Sequence, residues 1–420
     1  MHQEQITVAQ EQDSSVHATP KAEHPIEYLV RKADQDFSNV LAQETHSLKE
    51  AAEEYRRRRG RHPPPRFDRW YKFAKDRNVV MIESFWDQIY HDILPFWAVP
   101  PKLIQREASE FDITVKIRGG HASTSSQWFW TQLWLDLLRT IASELPDMDL
   151  ALNALDEPRI VVPWEAMADH LVKADRTRGF PEAKQVLTDF QSSPWDSNDD
   201  EKNDNRQDPW QKNGSYWDIV RRGCGPLSAA RQDGPGPLQQ GQKPTLDDRF
   251  ATPHMYRGFV ANNQDQPPKR ASCSYVDPYF TVREAIPLEE QFRSKFLPDI
   301  DGNSFSGRYL AFLKSSSLPI KATIWKEWHD SRLVAWQHFV PMDSRYGDWY
   351  GLMDFFLGQD GDAVAEKIAT AGREWAARVL RREDMQVYVF RLLLEYARVL
   401  DEKRELLGWV QDLEGEALVF

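Results

Sequence analysis

The chain has 420 residues, 41% of them hydrophobic, and a formal net charge of −12 at pH 7. This length predicts two or three domains, and the acidic balance argues against nucleic acid as the main partner, because phosphate binding requires clustered cations. No run of about 18 apolar residues occurs, so no membrane span is predicted. The two cysteines, Cys224 and Cys273, leave a disulfide and two thiols equally open.

Residues 1–24 are polar and aperiodic, which predicts disorder, and they show no basic-then-apolar secretory signal. From residue 25 the apolar positions recur at three- and four-residue spacing, so we expect one amphipathic helix over Pro25–Tyr55. Five arginines then precede a triple proline, and this linker ends at residue 66. The arginines are either a nucleic-acid or nuclear-localisation patch or cations that favour a helix C-terminus.

Residues 67–192 predict an α/β lobe in which strands alternate with helices. The helical patterns are FDRWYKFAKDR, MIESFWDQIYHDILPFW, WEAMADHLVKADR and PEAKQVLTDF. The segment DITVKI (112–117) alternates as a strand, and Leu150–Leu155 predicts a second strand that ends at Asp156. The segment SSQWFWTQLWLDLLRTIASEL is apolar on most of its circumference, so we expect a buried helix capped by Ser126.

Residues 193–280 are rich in Asp, Asn, Gln, Gly and Pro, which is typical of a linker or mobile loop. One ordered island, SYWDIVRRGCGPLSAAR, interrupts this composition. From residue 281 to residue 420 regular structure resumes. We expect a short helix at Leu288–Phe292, a compact segment over 296–342 and three long C-terminal helices.

The segment 296–342 has the layout strand, turn, helix, strand that a nucleotide-binding α/β unit requires. A turn of small residues ends in Arg308 and opens an apolar helix over Tyr309–Leu313. A β-branched strand follows at Leu318–Ile324, then a Trp-rich stretch with a helical pattern and a short strand at His338–Met342. Backbone N–H groups, hydroxyls and a guanidinium can hold a diphosphate at such a turn, although a Gly/Ser turn before a helix is also an ordinary cap.

The segment 299–333, DIDGNSFSGRYLAFLKSSSLPIKATIWKEWHDSRL, resembles the C-terminal signature of glycosyltransferase family 90. That family includes capsule-associated-protein-type xylosyltransferases of fungi and protein O-glucosyltransferases of animals. The resemblance continues in REDMQVYVFRLLLEYARVL, and it reappears upstream in FDRWYKFA, DQIYHDILPFW and LPDMDLALNALDEPRI.

The resemblance implies an α/β fold of two Rossmann-like lobes of GT-B type. The acceptor lobe would be 67–192, and 281–420 would form the nucleotide-sugar lobe with long C-terminal helices. The implied reaction is inverting transfer of xylose or glucose from a UDP-sugar to a hydroxyl of a glycan or protein. The implied location is the secretory pathway, in the Golgi or ER, and no cofactor or metal is implied.

The resemblance also implies site residues. By position alone, Asp156 either faces the crevice beyond its strand or caps the turn before Pro158. The family's Asn-x-x-Asp-x-Pro block supplies the catalytic base, which assigns that role to Asp156. Without the resemblance, Arg308 could equally face a diphosphate or form an ion pair on the surface. Glu327 is either an acid facing ribose hydroxyls or an ordinary surface glutamate. By resemblance the donor-site turn comprises Asn303, Ser304, Phe305, Ser306, Gly307 and Arg308.

Two Asp-x-Asp pairs, Asp147/Asp149 and Asp299/Asp301, raise the question of a metal. A calcium loop that starts at Asp299 fails, because Ser304 replaces the required glycine and Leu310 the closing acid. The histidines show no ligand spacing, so we expect structural roles for them.

One part of the family pattern is missing. Family members carry a long middle stretch before the DGNSFSGR block, and here only Tyr256–Gly258 is similar to it. We therefore expect an incomplete donor lobe that lacks its first strands. A shortened variant, an incorrectly spliced gene model and a degenerate copy all fit this observation. The alternative function is accordingly a catalytically inactive relative, either a pseudoenzyme or a binding protein.

Overall fold

A computed structural model gives the fold and describes residues 23–111, 113–153, 161–195, 222–228, 231, 286–301, 304–344 and 346–413. The N-terminus and most of the predicted linker at 193–280 lie outside these residues. The helices are α1 (Pro25–Leu41), α2 (Leu48–Arg59), α3 (Phe67–Asp76), α4 (Asp87–Ile93), α5 (Pro101–Ser109), α6 (Phe129–Leu138), α7 (Trp164–Arg176), α8 (Leu288–Gln291), α9 (Tyr309–Lys314), α10 (Trp349–Leu357), α11 (Gly361–Val379) and α12 (Arg382–Leu400). The strands are β1 (Thr114–Arg118), β2 (His121–Thr124), β3 (Met148–Ala151), β4 (Phe296–Ile300), β5 (Leu318–Ala322) and β6 (Val340–Pro341).

The predicted helix over Pro25–Tyr55 is wrong in one respect, because two helices occupy this range. The connecting loop is tied to the core, since the backbone N–H and the hydroxyl of Thr45 both donate to the Met81 carbonyl, at 2.8 and 3.0 Å. Ser47 then caps α2 by accepting a hydrogen bond from the Glu50 N–H at 3.2 Å. Hydroxyl side chains that satisfy backbone groups in this way interrupt a helical pattern.

The first sheet is antiparallel, with strand order β2-β1-β3, so the described part of the N-terminal lobe does not have the parallel sheet that a Rossmann-like lobe requires. The cause is local. Gly119 and Gly120 connect β1 to β2 and have φ values of +53° and +78°. A two-residue connection with both φ values positive is a tight hairpin turn, and it forces neighbouring strands to run in opposite directions.

Two further predictions for the N-terminal lobe are wrong. The segment PEAKQVLTDF forms only a 3₁₀ turn at Ala183–Gln185, because Leu187 pairs with the C-terminal segment and donates to the Leu406 carbonyl at 2.9 Å. The start of α6 is not buried, since Trp128, Phe129 and Trp130 are more than half exposed. Ser126 is not the residue that caps α6, which begins after Trp128.

The second sheet is parallel, with strand order β4-β5-β6, and α9 forms the connection from β4 to β5. This confirms the predicted strand–turn–helix–strand unit. The Trp-rich stretch after β5 is not a helix, apart from a 3₁₀ turn at Asp330–Arg332. The reason is that the Asp330 carboxylate accepts the Glu327 N–H at 2.9 Å, a local bond that competes with helix formation.

The helices α1 and α12 pack on opposite lobes. Ile26 and Val30 of α1 join the apolar core around Leu318 and Ile320 of the parallel sheet. The C-terminal helix α12 packs against α3, α4 and α5 and is buried along most of its length. No helix in the described part of the chain is long and apolar enough to cross a bilayer.

The four arginines in the last turn of α2, Arg56–Arg59, are all paired with carboxylates. Arg58 and Arg59 bind Asp87, and Arg59 also binds Glu83 at 2.9 Å. Arg56 pairs with Asp412 and Arg57 with Glu54. These ion pairs favour the structural interpretation of the run over the nucleic-acid one.

The helix α11 provides a test of the packing. A Cβ at Gly372 would lie 2.2 Å from the His338 carbonyl oxygen, so α11 approaches the β6 segment at this glycine. We expect Gly372→Ala to lower the free energy of unfolding by about 1–3 kcal/mol, because overpacking outweighs the helix preference of alanine. Thermal unfolding measures the change.

Gly351 in α10 is the matched control, since a Cβ there meets no atom within 4 Å. Gly351→Ala should leave the melting temperature unchanged or raise it. Equal effects of the two substitutions would contradict the close approach at Gly372.

Candidate functional site

Two loops meet at the carboxyl edge of the parallel sheet. The first follows β4 and ends at Arg308, and the second follows β5 and contains Glu327. Asp301 links them, because one of its carboxylate oxygens accepts the Ile324 N–H at 2.8 Å. In open α/β sheets, ligands bind beyond the carboxyl ends of the strands, so this edge is the candidate site.

Asp299 holds the first loop in place. Its Oδ1 accepts a hydrogen bond from the Ser306 hydroxyl at 2.5 Å, and both side chains are buried. Burial raises the pKa of Asp299 to about 6, although the Ser306 hydroxyl and the charges of Arg308 and Lys321 act in the opposite direction. The loop therefore buries Ser306 while Phe305 and Gly307 remain exposed.

Arg308 presents a guanidinium at the end of this loop. It is half-buried and lies 5.3 Å from the centre of the Phe312 ring. Within the residues that the structure describes, no carboxylate forms an ion pair with Arg308. The following helix α9 has only six residues, so the guanidinium, rather than a helix dipole, is the group that can hold an anion here.

Lys321 is the buried cation at the centre of the site. Its ammonium lies 3.3 Å from Glu327 Oε2 and 3.2 Å from Asp330 Oδ1, with only 5% of the side chain exposed. It also lies 3.8 Å from the centre of the Tyr309 ring. A buried ammonium requires such partners, so Lys321 determines where Glu327 and Asp330 lie.

Burial also changes the protonation of the neighbouring groups. It raises the pKa of Glu327 to about 7, with Lys321 lowering the value and Asp330 raising it. Burial and the Lys321 charge lower the pKa of His329 to about 3, so this imidazole is neutral. The His329 ring stacks on Tyr309 at 5.5 Å between centroids, and among the described residues neither of its ring nitrogens has a hydrogen-bond partner.

The spacing of Glu327, His329 and Asp330 permits a metal ion, since their ligand atoms lie within 4.8 Å of one another. The same two carboxylate oxygens bind the Lys321 ammonium, however. A divalent cation would have to displace this ammonium or be repelled by it, because like charges at this distance interact strongly in a buried site. The donor set therefore fits the internal lysine better than a metal.

The comparisons with known proteins concern this part of the chain. A sequence model of glycosyl transferase family 90 matches residues 273–419. The O-glucosyltransferase rumi of Drosophila pseudoobscura pseudoobscura is 24% identical over 284 residues, which cover 63% of this chain and 63% of that protein. The rumi homolog of Anopheles gambiae is 25% identical over 288 residues, and Protein O-glucosyltransferase 1 of Bos taurus is 21% identical over 279.

The chain resembles glycosyltransferase family 90. It spans just under two thirds of the length of the relatives it matches, 63–64%. The family match contains the whole parallel sheet and both loops of the candidate site. The candidate site therefore lies within the part of the chain that the family model matches.

The structure brings together three of the predicted donor-site groups. The Ser306 hydroxyl donates to Asp299, the charge of Arg308 lowers the pKa of Asp299, and the charge of Asp299 raises the pKa of Glu327. Of the other predicted residues, Ser304 is buried, whereas Phe305 and Gly307 are exposed. Asp156 and Asn303 lie outside the described residues, so their roles stay predictions.

The sequence analysis missed the central role of Lys321 and Asp330 and considered Asp299 only as a metal ligand. One signal was present for Lys321. It is the only charged residue in LPIKA, a strand buried at every position. A lone lysine in such a strand requires carboxylate partners nearby, and the following loop supplies them.

The pKa of Glu327 predicts a pH dependence of stability. A carboxyl that keeps its proton up to about pH 7 when folded, but loses it near pH 4.5 when unfolded, stabilises the fold below pH 4.5. This stabilisation, at most about 3 kcal/mol, is lost as the pH rises to 7. Glu327→Gln should therefore show a smaller decrease in unfolding free energy between pH 5 and 8 than the parent chain.

The measurement is urea unfolding at several pH values. The matched control is Glu289→Gln, which changes an exposed glutamate in α8. This variant should show the same dependence of unfolding free energy on pH as the parent chain. If Glu327→Gln also showed that dependence, the protonation proposed for this site would be wrong.

Proposed function

We propose that this chain is a glycosyltransferase of family 90 that transfers xylose or glucose from a UDP-sugar to a hydroxyl of a glycan or protein. The observation that carries the proposal is Arg308, which has no carboxylate partner in the described structure and lies at the carboxyl edge of a parallel sheet within the family match. The relatives are named as O-glucosyltransferases, which supports the same class of reaction.

The donor would lie across the two loops of the site. Its diphosphate would bind the Arg308 guanidinium and the turn that contains Ser304 and Ser306. Glu327 would accept hydrogen bonds from the ribose hydroxyls. As the bond between the sugar and UDP breaks, negative charge develops on the leaving diphosphate, and a fixed guanidinium stabilises that charge.

Asp156 would act as the base. It would take the proton of the acceptor hydroxyl as the acceptor oxygen attacks the anomeric carbon from the side opposite UDP, which inverts the configuration. We expect the reaction to require no metal, because the Arg308 guanidinium supplies the positive charge. By analogy with the family, the reaction would take place in the secretory pathway, in the ER or Golgi.

A catalytically inactive relative is the second candidate. It is favoured by the size of the parallel sheet, which has three strands in the described part of the chain, and by the family match, which begins only at residue 273. Such a protein would retain the fold around Lys321 and would serve in binding rather than in transfer.

The first test concerns the donor. UDP should raise the melting temperature of the purified chain, because a ligand that binds only the folded state stabilises it by about 2.7 kcal/mol at a hundredfold excess over Kd. Arg308→Ala should abolish this rise. Arg293→Ala removes an exposed arginine that precedes β4 and should leave the rise intact.

The absence of a UDP-dependent shift in the parent chain would contradict the donor site and favour the inactive relative. A shift of equal size in Arg308→Ala would show that UDP binds without this guanidinium.

The second test concerns the base. Asp156→Asn should abolish sugar transfer and keep the UDP-dependent rise in melting temperature, because the base contacts the acceptor and not the nucleotide. Glu157→Gln, at the neighbouring position, should keep both properties. Retained transfer by Asp156→Asn would remove Asp156 from the mechanism.

A further inference from the structure

A second cavity lies in the N-terminal lobe, away from the sheet edge that carries the candidate donor site. It has a volume of about 330 Å³ and lies between α2, α4, the 3₁₀ segment at Leu94–Ala98 and the end of α7. Ligand pockets have volumes from about 300 Å³ upwards, so this one has room for a molecule of monosaccharide size. It shares no lining residue with the loops that contain Arg308 and Glu327.

The cavity has one end where charges are balanced. There Arg58 and Arg59 bind Asp87, and Arg59 also binds Glu83. Next to them, the Glu395 carboxylate accepts hydrogen bonds from two tyrosine hydroxyls, and the buried Arg391 lies 3.5 Å away. This end offers carboxylate oxygens and hydroxyls and carries little net charge.

Another part of the lining contains Arg61, a buried cation that forms no ion pair with a carboxylate of the described residues. Arg61 is only 7% exposed, and its guanidinium donates to the carbonyl oxygens of Ala174 and Thr177 at the end of α7. Arg178 also lines the cavity, and its nearest ion-pair partner is the exposed Asp175 at 3.3 Å.

Further cations lie behind Arg61. Its guanidinium lies 3.7 Å above the Trp97 ring, and those of Arg398 and Arg404 lie 5.6 and 5.4 Å from the same ring. Both donate to backbone carbonyls and pair with no carboxylate in the described part of the chain. Burial and the neighbouring charges of Arg398 and Arg178 lower the pKa of Arg61 to about 10, although Tyr55 and Glu395 act in the opposite direction.

We propose that this cavity binds a small anionic sugar, whose phosphate or carboxylate group pairs with Arg61 and Arg178 and whose hydroxyls bind at the Asp87 and Glu395 end. Arg61 is a buried guanidinium without a carboxylate partner among the described residues, and Arg178 beside it pairs only with the exposed Asp175, so a ligand with net negative charge is favoured here. An ammonium group is not required at the Asp87 and Glu395 end, because both carboxylates there already have arginine partners. Neutral hydroxyl donors fit that end. The inference does not depend on the proposed transferase activity.

The test is isothermal titration calorimetry of the full chain with glucose 6-phosphate at low salt. We expect saturable binding that Arg178→Gln weakens at least about tenfold, the loss expected for one charge-assisted hydrogen bond. Arg178 is preferred to Arg61 for substitution, because Arg61 also binds the end of α7 and its loss would disturb the fold. Arg57→Gln is the matched control, since Arg57 is an exposed arginine of α2 outside the cavity.

Three further arms distinguish the alternatives. Glucose should not bind, inorganic phosphate should bind more weakly than glucose 6-phosphate, and Arg308→Gln should leave the affinity for glucose 6-phosphate unchanged. Absence of binding, or equal affinity in Arg178→Gln and Arg57→Gln, would overturn the proposal. If inorganic phosphate bound as tightly as glucose 6-phosphate, the proposal that the cavity recognises a sugar would be wrong. If Arg308→Gln abolished binding, glucose 6-phosphate would bind at the donor site and not in this cavity.

Discussion

The buried guanidinium of Arg391 connects the C-terminal helix to the rest of the molecule. It is fully buried, lies 3.2 Å from Glu83 and donates to the Tyr90 hydroxyl at 3.0 Å. A buried charge that lost these partners would cost several kcal/mol, so α12 is stable only where it meets the N-terminal lobe. Two residues after Glu83, the Phe85 carbonyl accepts a hydrogen bond from Arg332 at 2.9 Å. The loop that carries the candidate donor site is therefore attached to the opposite lobe.

The same constraint organises the candidate site. Lys321 is a cation in a strand with no exposed position, and the two carboxylates that pair with it define the loop after β5. Glu327 is consequently fixed beside Asp299, which orders the turn before Arg308. Pairing within the protein satisfies Lys321. Arg308, in contrast, pairs with no carboxylate among the described residues. This difference distinguishes a structural cation from one that can bind a ligand.

Periodicity and turn residues predicted the helices α3 and α7, the C-terminal helices and the β4-α9-β5 unit. They failed where distant residues decide the local structure. The Trp-rich stretch has a helical pattern, but the buried Lys321 and the Asp330 cap impose a turn. The Gly119-Gly120 pair is itself a hairpin signal, although apolar alternation alone does not contain it. The catalytic role of Asp156 rests on family resemblance alone, since it lies outside the described residues.

The central claim is that the edge of the parallel sheet binds the diphosphate of a nucleotide-sugar. Calorimetric titration with UDP, UMP and uridine tests it most directly, because the three ligands share the base and ribose and differ in phosphate. If the Arg308 guanidinium holds the diphosphate, UDP should bind at least about tenfold more tightly than UMP, and uridine most weakly. Equal affinities for the three, or no binding of any, would contradict the account.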